Sequence, residues 1–339
     1  MKILFVGNFS TSWSTHHPMA KEFKKRNYEV TKFDFRGMAR KNIRIKSPLY
    51  TEKFYLYFDS LMRPRLYLPN LIKRIKYYVF GNYRMNKKLL SIVKNNKFDL
   101  IFLAKTDTVD YKNIPKFRNS ARTWYYFMDP LKVALQMNAH KYASLSDWSS
   151  ASTIIMNQFF KDCGANSYYI TQGFNSYLFK PGKENKNKKI DVIFIGKANN
   201  KRKRYIDFLL KNNINVVCYG RGWSNAPIYL EKLVKKYRNS KIILNFLRLE
   251  TGFSIRVFQA MGTGSLLLSE YCPDLAKTFK KGVHLDWFKT PEESLMMINQ
   301  YLENDIKREE VAREGYNFVY NNYSWEKIMD RIIHIIQNN

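Results

Sequence analysis

Acidic side chains are scarce in this sequence. Across 339 residues, 28 Asp and Glu stand against 58 Lys and Arg, leaving a formal charge of +30. Such an excess draws anionic partners, whether nucleic acid, acidic lipid headgroups or phosphorylated small molecules, and specifies no fold. Cysteine is rarer still: Cys163, Cys218 and Cys272 are odd in number and far apart. That excludes a disulfide framework and a cysteine zinc site, and it fits a reducing cytoplasm. Long apolar runs are missing too. Stretches such as Asp99 to Ala104 and Ile242 to Leu247 fall far short of the roughly 18 residues a membrane span needs. The opening MKILFVGNFSTSW turns polar too early for a secretory signal core and reads as a buried first strand.

Several chemical signatures are also lacking. The sequence holds no Asp-x-Asp, which argues against the metal-dependent single-domain plan of sugar transfer, and no Walker loop or G-x-S-x-G elbow. His16, His17, His140, His284 and His334 show no metal-like spacing with cysteine or acid. No bound metal is expected.

What is present is an alternation of short apolar runs with helical patterns, and 45% hydrophobic residues, enough for about two domains of roughly 150 residues. In the first series Lys2 to Val6, Tyr28 to Phe35, Phe98 to Ala104, Arg122 to Phe127 and Ser152 to Met156 read as strands, with helices at Pro18 to Arg26 and Leu71 to Lys94. Their apolar residues are continuous, as in parallel sheets covered on both faces. Residues 173–189, ending in the polar KPGKENKNKK, read as a linker. A second series follows, with strands at Ile190 to Ile195, Ile214 to Tyr219, Lys241 to Phe246 and Ser265 to Ser269. Helices are expected around Lys203 to Lys211, Ile228 to Tyr237, Ser254 to Met261 and Pro291 to Glu303. The expected fold is α/β: two doubly wound Rossmann-like domains, 1–172 and 190–322, facing a cleft. The amphipathic helix over 323–339 is expected to return to the first domain. In such folds ligands gather at the carboxyl ends of strands.

Three strand ends in the second half carry matching chemistry. After Ile195 comes GKANNKRKR, with Gly196, Lys197, Arg202 and Arg204; after Tyr219 comes GRGW, with Gly220 and Trp223. After Phe246 a loop with Gly252 and Phe253 leads into a helix near Ser254 that carries Arg256 and Gln259. Glycines admit close approach, a helix start offers amide donors with a favourable dipole, and the cations balance negative charge. A ligand with a base, a ribose and a diphosphate suits that edge.

The stretch from Lys241 to Tyr323, containing SIRVFQAMGTGSLLLSEYCPDL, FKKGVHLDWF and PEESLMMINQYL, and continuing into VAREGYNFVYNNYSW, resembles the C-terminal domain of the CgeB-like and family-4-like glycosyltransferases of the two-domain GT-B fold. FIGKANNKR, the Asp129–Pro130 dipeptide and the first strand extend the likeness more loosely over most of the chain. The resemblance implies transfer of a sugar from a nucleotide-diphosphate sugar, UDP- or GDP-linked, without an obligatory metal. It also implies that Lys197 with Arg202 or Arg204, and Arg256, neutralise the departing diphosphate. The retaining family-4 pattern brackets the helix start with two glutamates; here Thr251 and Gln259 stand at those positions, with Glu250 one residue out of register. Gln259 retains a donor and an acceptor for a ribose hydroxyl, whereas Thr251 replaces no charge. A degenerate protein that binds nucleotide sugar without turnover is the corresponding alternative.

From the first half, WYYFMDP places Asp129 after a strand, where a carboxylate can orient the sugar or take the acceptor's proton. Gly7 and Asn8 end the first strand at the same edge, and of the neighbouring His16 and His17, His17 is taken as the catalytic candidate. Residues 1–170 hold 30 of the basic and 11 of the acidic residues, and Arg63 to Lys97 has ten basic and no acidic ones, mixed with Tyr67, Tyr77, Tyr78, Phe80 and Tyr83. Such a segment suits peripheral contact with an anionic membrane on its cytoplasmic face, where a lipid-linked or polysaccharide acceptor is reached. Nucleic acid is the second choice, as in phage-type DNA modification; no sequence-reading motif supports it.

Overall fold

The computed structural model describes residues 1–41, 77, 81–182, 188–247 and 252–338. Much of the basic aromatic segment Arg63 to Lys97, including Tyr67, Tyr78 and Phe80, lies outside them, as do Glu250 and Thr251. The chain divides into two compact units, Met1–Thr171 and Gln172–Asn339.

The first unit runs β1 (Lys2–Gly7), α1 (His16–Lys25), β2 (Glu29–Asp34), α2 (Phe35–Lys41), α3 (Asn82–Asn95), β3 (Leu100–Ala104), a short 3-10 turn, α4 (Ile114–Arg118), β4 (Arg122–Phe127), α5 (Leu131–Met137), α6 (Ala139–Leu145), β5 (Trp148–Ala151), α7 (Ile154–Asp162) and β6 (Ser167–Tyr169). All strands pair in parallel in the order β2-β1-β3-β4-β5-β6. The centre is dry because its strands are apolar on both faces: Ile3 to Val6 and Leu100 to Ala104 are fully buried. The chain winds from β1 outward to β2, then crosses to β3 on the other side. That reversal opens a crevice beyond the carboxyl ends of β1 and β3.

One expected strand is misplaced. Ser152 to Met156 is the entry to α7, where the Thr153 hydroxyl accepts from the Met156 amide at 3.3 Å. The strand is the preceding WSSA. Its serines, Ser149 and Ser150, are buried yet polar, and Ser150 Oγ accepts from Trp124 Nε1 at 3.0 Å, so hydropathy alone hides it. Of the helix expected over Leu71 to Lys94, Tyr77 is helical and a continuous helix starts at Asn82, after Gly81 in a left-handed conformation (φ 74°).

The second unit runs β7 (Ile190–Ile195), α8 (Asn200–Lys211), β8 (Val216–Tyr219), α9 (Leu230–Arg238), β9 (Ser240–Asn245), α10 (Ile255–Gly262), β10 (Leu266–Glu270), α11 (Pro273–Thr278), β11 (Asp286–Phe288), α12 (Pro291–Glu303), α13 (Asp305–Tyr323) and α14 (Trp325–Asn338). Its parallel sheet has the order β11-β10-β9-β7-β8. Alternate residues feed opposite faces: Val192, Phe194, Ile242 and Leu244 pack on one side, Ile193, Ile195, Ile243 and Val257 on the other. Winding again reverses, from β7 outward to β8 and then across to β9, which sets a second crevice beyond β7 and β9. The residues following Thr171 are well packed: Phe174 and Phe179 are buried, and Phe174 exchanges backbone hydrogen bonds with Tyr323 and Trp325. The two expected parallel-sheet domains are therefore present. No helix among the described residues is long and apolar enough to cross a membrane.

Candidate functional site

At the second crevice the ends of β7 and β8 interlock. The Gly196 amide donates to Tyr219 O at 2.9 Å, the Ala198 amide to Arg221 O at 2.9 Å, and Trp223 Nε1 to Gly196 O at 2.8 Å. Gly220 has φ +138°, and a Cβ there would lie 2.3 Å from Gly196 O, so only glycine lets the two turns touch. Trp223 is thus a strut between loops as well as an aromatic wall.

Arg256 lies across the end of β7. Its NH1 donates to Ile195 O at 3.3 Å, and a Cβ on Gly196 would come within 2.7 Å of it. The guanidinium sits on bare backbone because residue 196 has no side chain. Arg256 is also in the first turn of α10, whose N-cap Ser254 makes no side-chain cap. The first described bond of that turn is Val257 N to Ser254 O at 3.0 Å, so the Ile255 and Arg256 amides meet no acceptor among the described residues. Uncapped amides, a helix dipole and a guanidinium thus converge at one point, an arrangement suited to a phosphate group. Gly252 enters this loop at φ +81°. The Phe253 ring packs edge-on against Phe258 at 5.4 Å and tilted against Phe279 at 5.7 Å, anchoring the loop. Half-buried Gln259 follows Arg256 by three positions, on the same helix face.

The cations after β7 separate into two kinds. Arg202 is only 5% exposed. Its NH1 donates to Lys197 O at 2.8 Å and its NH2 to Phe246 O at 3.0 Å, over the Phe194 ring. It therefore holds the ends of β7 and β9 together. Lys197 and Arg204 are exposed, and neither has an ion-pair partner among the described residues. Two residues escaped the sequence reading. Buried Glu270, the last residue of β10, pairs with Lys201 and accepts from the Leu247 amide at 3.1 Å. Asn245 ends β9 and donates to Ser269 Oγ at 2.9 Å. A carboxylate closing an apolar strand, LLLSE, was the available signal for Glu270.

In the first unit the crevice beyond β1 and β3 gathers polar groups. His16, 5% exposed, accepts the Asn8 amide at Nδ1 over 2.6 Å. Gly7 makes room for it, since a Cβ there would meet Nδ1 at 2.9 Å. Ser14 Oγ donates to Asn8 O at 2.6 Å and accepts from the His16 amide at 3.3 Å, closing the turn. His17, the expected catalytic residue, has its Nε2 on Thr11 O at 3.1 Å and its ring against Phe9. Asp129 stands after β4 as expected and is ion-paired with Lys105, which follows β3 in a left-handed conformation (φ 46°). Arg36 NH2 meets Asp107 Oδ2 at 2.7 Å, both buried. Asp34 takes the Phe9 and Gly37 amides and the Ser10 hydroxyl. Lys105, Arg36 and Asp107 were not foreseen, because nothing in AKTDTVD, or in the FDFRG that carries Arg36, distinguishes a site from a turn.

Burial, reinforced by the charges of Lys105 and Arg36, lowers the His16 pKa to about 3. The unfolded chain therefore binds a proton below about pH 6.5 that the folded chain refuses until about pH 3. This contribution to stability is complete above pH 6.5 and is lost as pH falls, by up to about 1.4 kcal/mol per unit. Urea unfolding at pH 7 and pH 4.5 should show a loss in wild-type protein that is smaller, by roughly 3 kcal/mol, in His16→Asn. Equal losses would show that His16 is protonated in the fold.

Among the described residues no group of three or more His, Cys, Asp or Glu is placed to hold a metal ion. Burial raises the Cys218 and Cys272 thiols to about 12 and about 11, which leaves neither as a ready nucleophile.

Residues 201–334 match the family described as Glycosyl transferase-like. No curated protein matches the chain. Among solved structures, HepE from Anabaena in complex with UDP-glucose is similar over 100% of both chains, at 12% identity and TM-score 0.67. A glycosyltransferase from Rickettsia africae (12% identity, TM-score 0.66) and sucrose-phosphate synthase from Thermosynechococcus elongatus (11%, 0.63) each cover 99% of this chain and 98% of their own. At these identities the structures establish the fold, which is the GT-B fold expected. The family match bears out the expectation of a glycosyltransferase.

Proposed function

We propose that the chain transfers a sugar from a UDP-sugar to a glycan or lipid-linked acceptor, with the donor held by the second unit. The observation that carries this reading is the Arg256 guanidinium seated on Gly196 beside the uncapped start of α10. UDP is preferred to GDP because HepE, whose fold this chain shares, was solved with UDP-glucose. In the reaction the bond between the anomeric carbon and the β-phosphate oxygen breaks, and an acceptor oxygen forms the new glycosidic bond. Charge grows on the departing diphosphate, where Arg256, the α10 amides and exposed Lys197 or Arg204 stabilise it in place of a divalent cation. Arg202 holds the loops rather than the ligand. Asp129, with its partner Lys105, orients the sugar or takes the acceptor's proton, and the basic first unit receives the acceptor.

Gln259, where the family pattern has a carboxylate, favours one second reading, a protein that binds the nucleotide sugar without turning it over. A thermal-shift and calorimetric series over UDP, GDP and UMP, with and without EDTA, tests the first reading. UDP at a hundredfold excess over its Kd should stabilise the fold by about 2.7 kcal/mol, UMP should bind more weakly, and EDTA should change nothing. No response to any nucleoside diphosphate would end both readings; binding without UDP release from any UDP-sugar would favour the second.

A further inference from the structure

His16 is buried and fixed on one side of its ring only. The Asn8 amide donates to Nδ1, so in the neutral ring the proton must sit on Nε2. No described residue accepts from that Nε2–H. A donor in a fixed tautomer therefore stands at the start of α1, against the turn that follows β1, where the winding of the sheet reverses. Lys105 and Arg36 act electrostatically on His16, and beside them in the fold's connections Thr106 Oγ1, next to Lys105, and Asp107 Oδ1, on the partner of Arg36, are buried without a hydrogen-bond partner. Buried polar groups left this way are uncommon and mark unmet bonding capacity.

The surroundings define what would fill it. Lys105 is balanced by Asp129 and Arg36 by Asp107, so this edge carries cations already neutralised and has little pull on an anion. Aromatic groups adjoin it. Phe9 lies 6.3 Å from the His16 ring and 5.3 Å from the His17 ring, and Trp13, in the same turn, is 45% exposed. A neutral donor, unfilled hydroxyl and carboxylate oxygens, and apolar rings suit an uncharged polyhydroxyl ligand, whose hydroxyls bond and whose C–H faces stack.

We propose that His16 Nε2–H donates a hydrogen bond to a hydroxyl oxygen of a saccharide, and that His16 rather than His17 is the substrate-contacting histidine of the first unit. This rests on the glycosyltransferase reading above. No proton is transferred: the imidazole stays neutral and positions the sugar. The saccharide is either the sugar of the donor or an acceptor sugar.

Two substitutions divide the histidine. His16→Asn keeps an acceptor near the Nδ1 position for the Asn8 amide and removes the distal N–H. His16→Gln restores an N–H near the Nε2 position and gives up the proximal bond. UDP, then UDP-glucose, UDP-galactose and UDP-N-acetylglucosamine, and then free glucose added to the UDP-saturated protein, are titrated by calorimetry. UDP affinity should be the same in all three proteins. In His16→Asn the best UDP-sugar should lose about tenfold relative to UDP if the donor's sugar is bound, or free glucose should lose about tenfold if an acceptor sugar is bound; His16→Gln should recover most of either loss. Unchanged saccharide binding in His16→Asn would overturn the proposal, and so would equal losses in both variants with lowered melting temperatures, which is the mark of a structural role. A loss on UDP itself would place a phosphate oxygen there and overturn the saccharide assignment. Wild-type protein that binds no UDP would fail at the earlier reading, and this one would fall with it.

Discussion

Arg256→Ala is expected to weaken UDP binding by about 10- to 100-fold while leaving the fold intact. A hydrogen bond to a charged group contributes about 1.5–3 kcal/mol, and a guanidinium matches phosphate geometry with two parallel donors. The residue is half-buried on α10 and its one described protein bond, to Ile195 O, is long at 3.3 Å, so truncation removes little that the folded chain needs. Arg256→Lys keeps the charge and loses the paired geometry, and should fall between the two. The ratio of UDP to UMP affinity identifies the phosphate concerned, because a contact with the β-phosphate disappears from both proteins when UMP is the ligand. Calorimetry on the three proteins decides the matter. Equal UDP affinities in wild type and Arg256→Ala would remove the diphosphate from this end of the sheet.

The second large effect is on folding. Gly220→Ala should destabilise the protein by roughly 3 kcal/mol or more. Two penalties act together: φ +138° is a conformation L side chains seldom adopt, worth about 1–3 kcal/mol, and the new methyl would stand 2.3 Å from Gly196 O. Relief requires the β8 turn to move off the β7 turn, which breaks the Ala198 to Arg221 bond and the Trp223 to Gly196 bond. The same change should therefore weaken UDP binding as well. Gly164→Ala is the comparison, since its φ of +79° is also positive but no atom lies within 4 Å of the added carbon. Urea denaturation should show the larger loss in Gly220→Ala, where the collision and the more extreme φ act together. If both lose the same stability, the turns are not in contact.

How much of this was legible beforehand depended on which force wrote each feature. Burial on both faces writes continuous apolar runs, so β1, β3, β4, β7 and β9 were found within a residue or two. β5 was missed because its buried serines spend their polarity on Trp124 and on a backbone carbonyl, partners that no window of sequence reveals. β6 and β11, three residues each, are too short to show a period. The candidate donor site was legible as chemistry, since glycines and cations at strand ends stand out. Its division of labour was not: Arg202 and Arg204 are two residues apart in one basic run, yet one is buried under carbonyls and the other exposed. The same holds for His16 and His17, neighbours whose ring nitrogens meet entirely different partners.

Leu247 is gripped at its amide by Glu270, and the carbonyl just before it is gripped by Arg202. Because both belong to neighbouring elements, the exit of β9 is already frozen before any nucleotide arrives. None of the intrinsic affinity for a nucleotide is then spent on ordering this strand end.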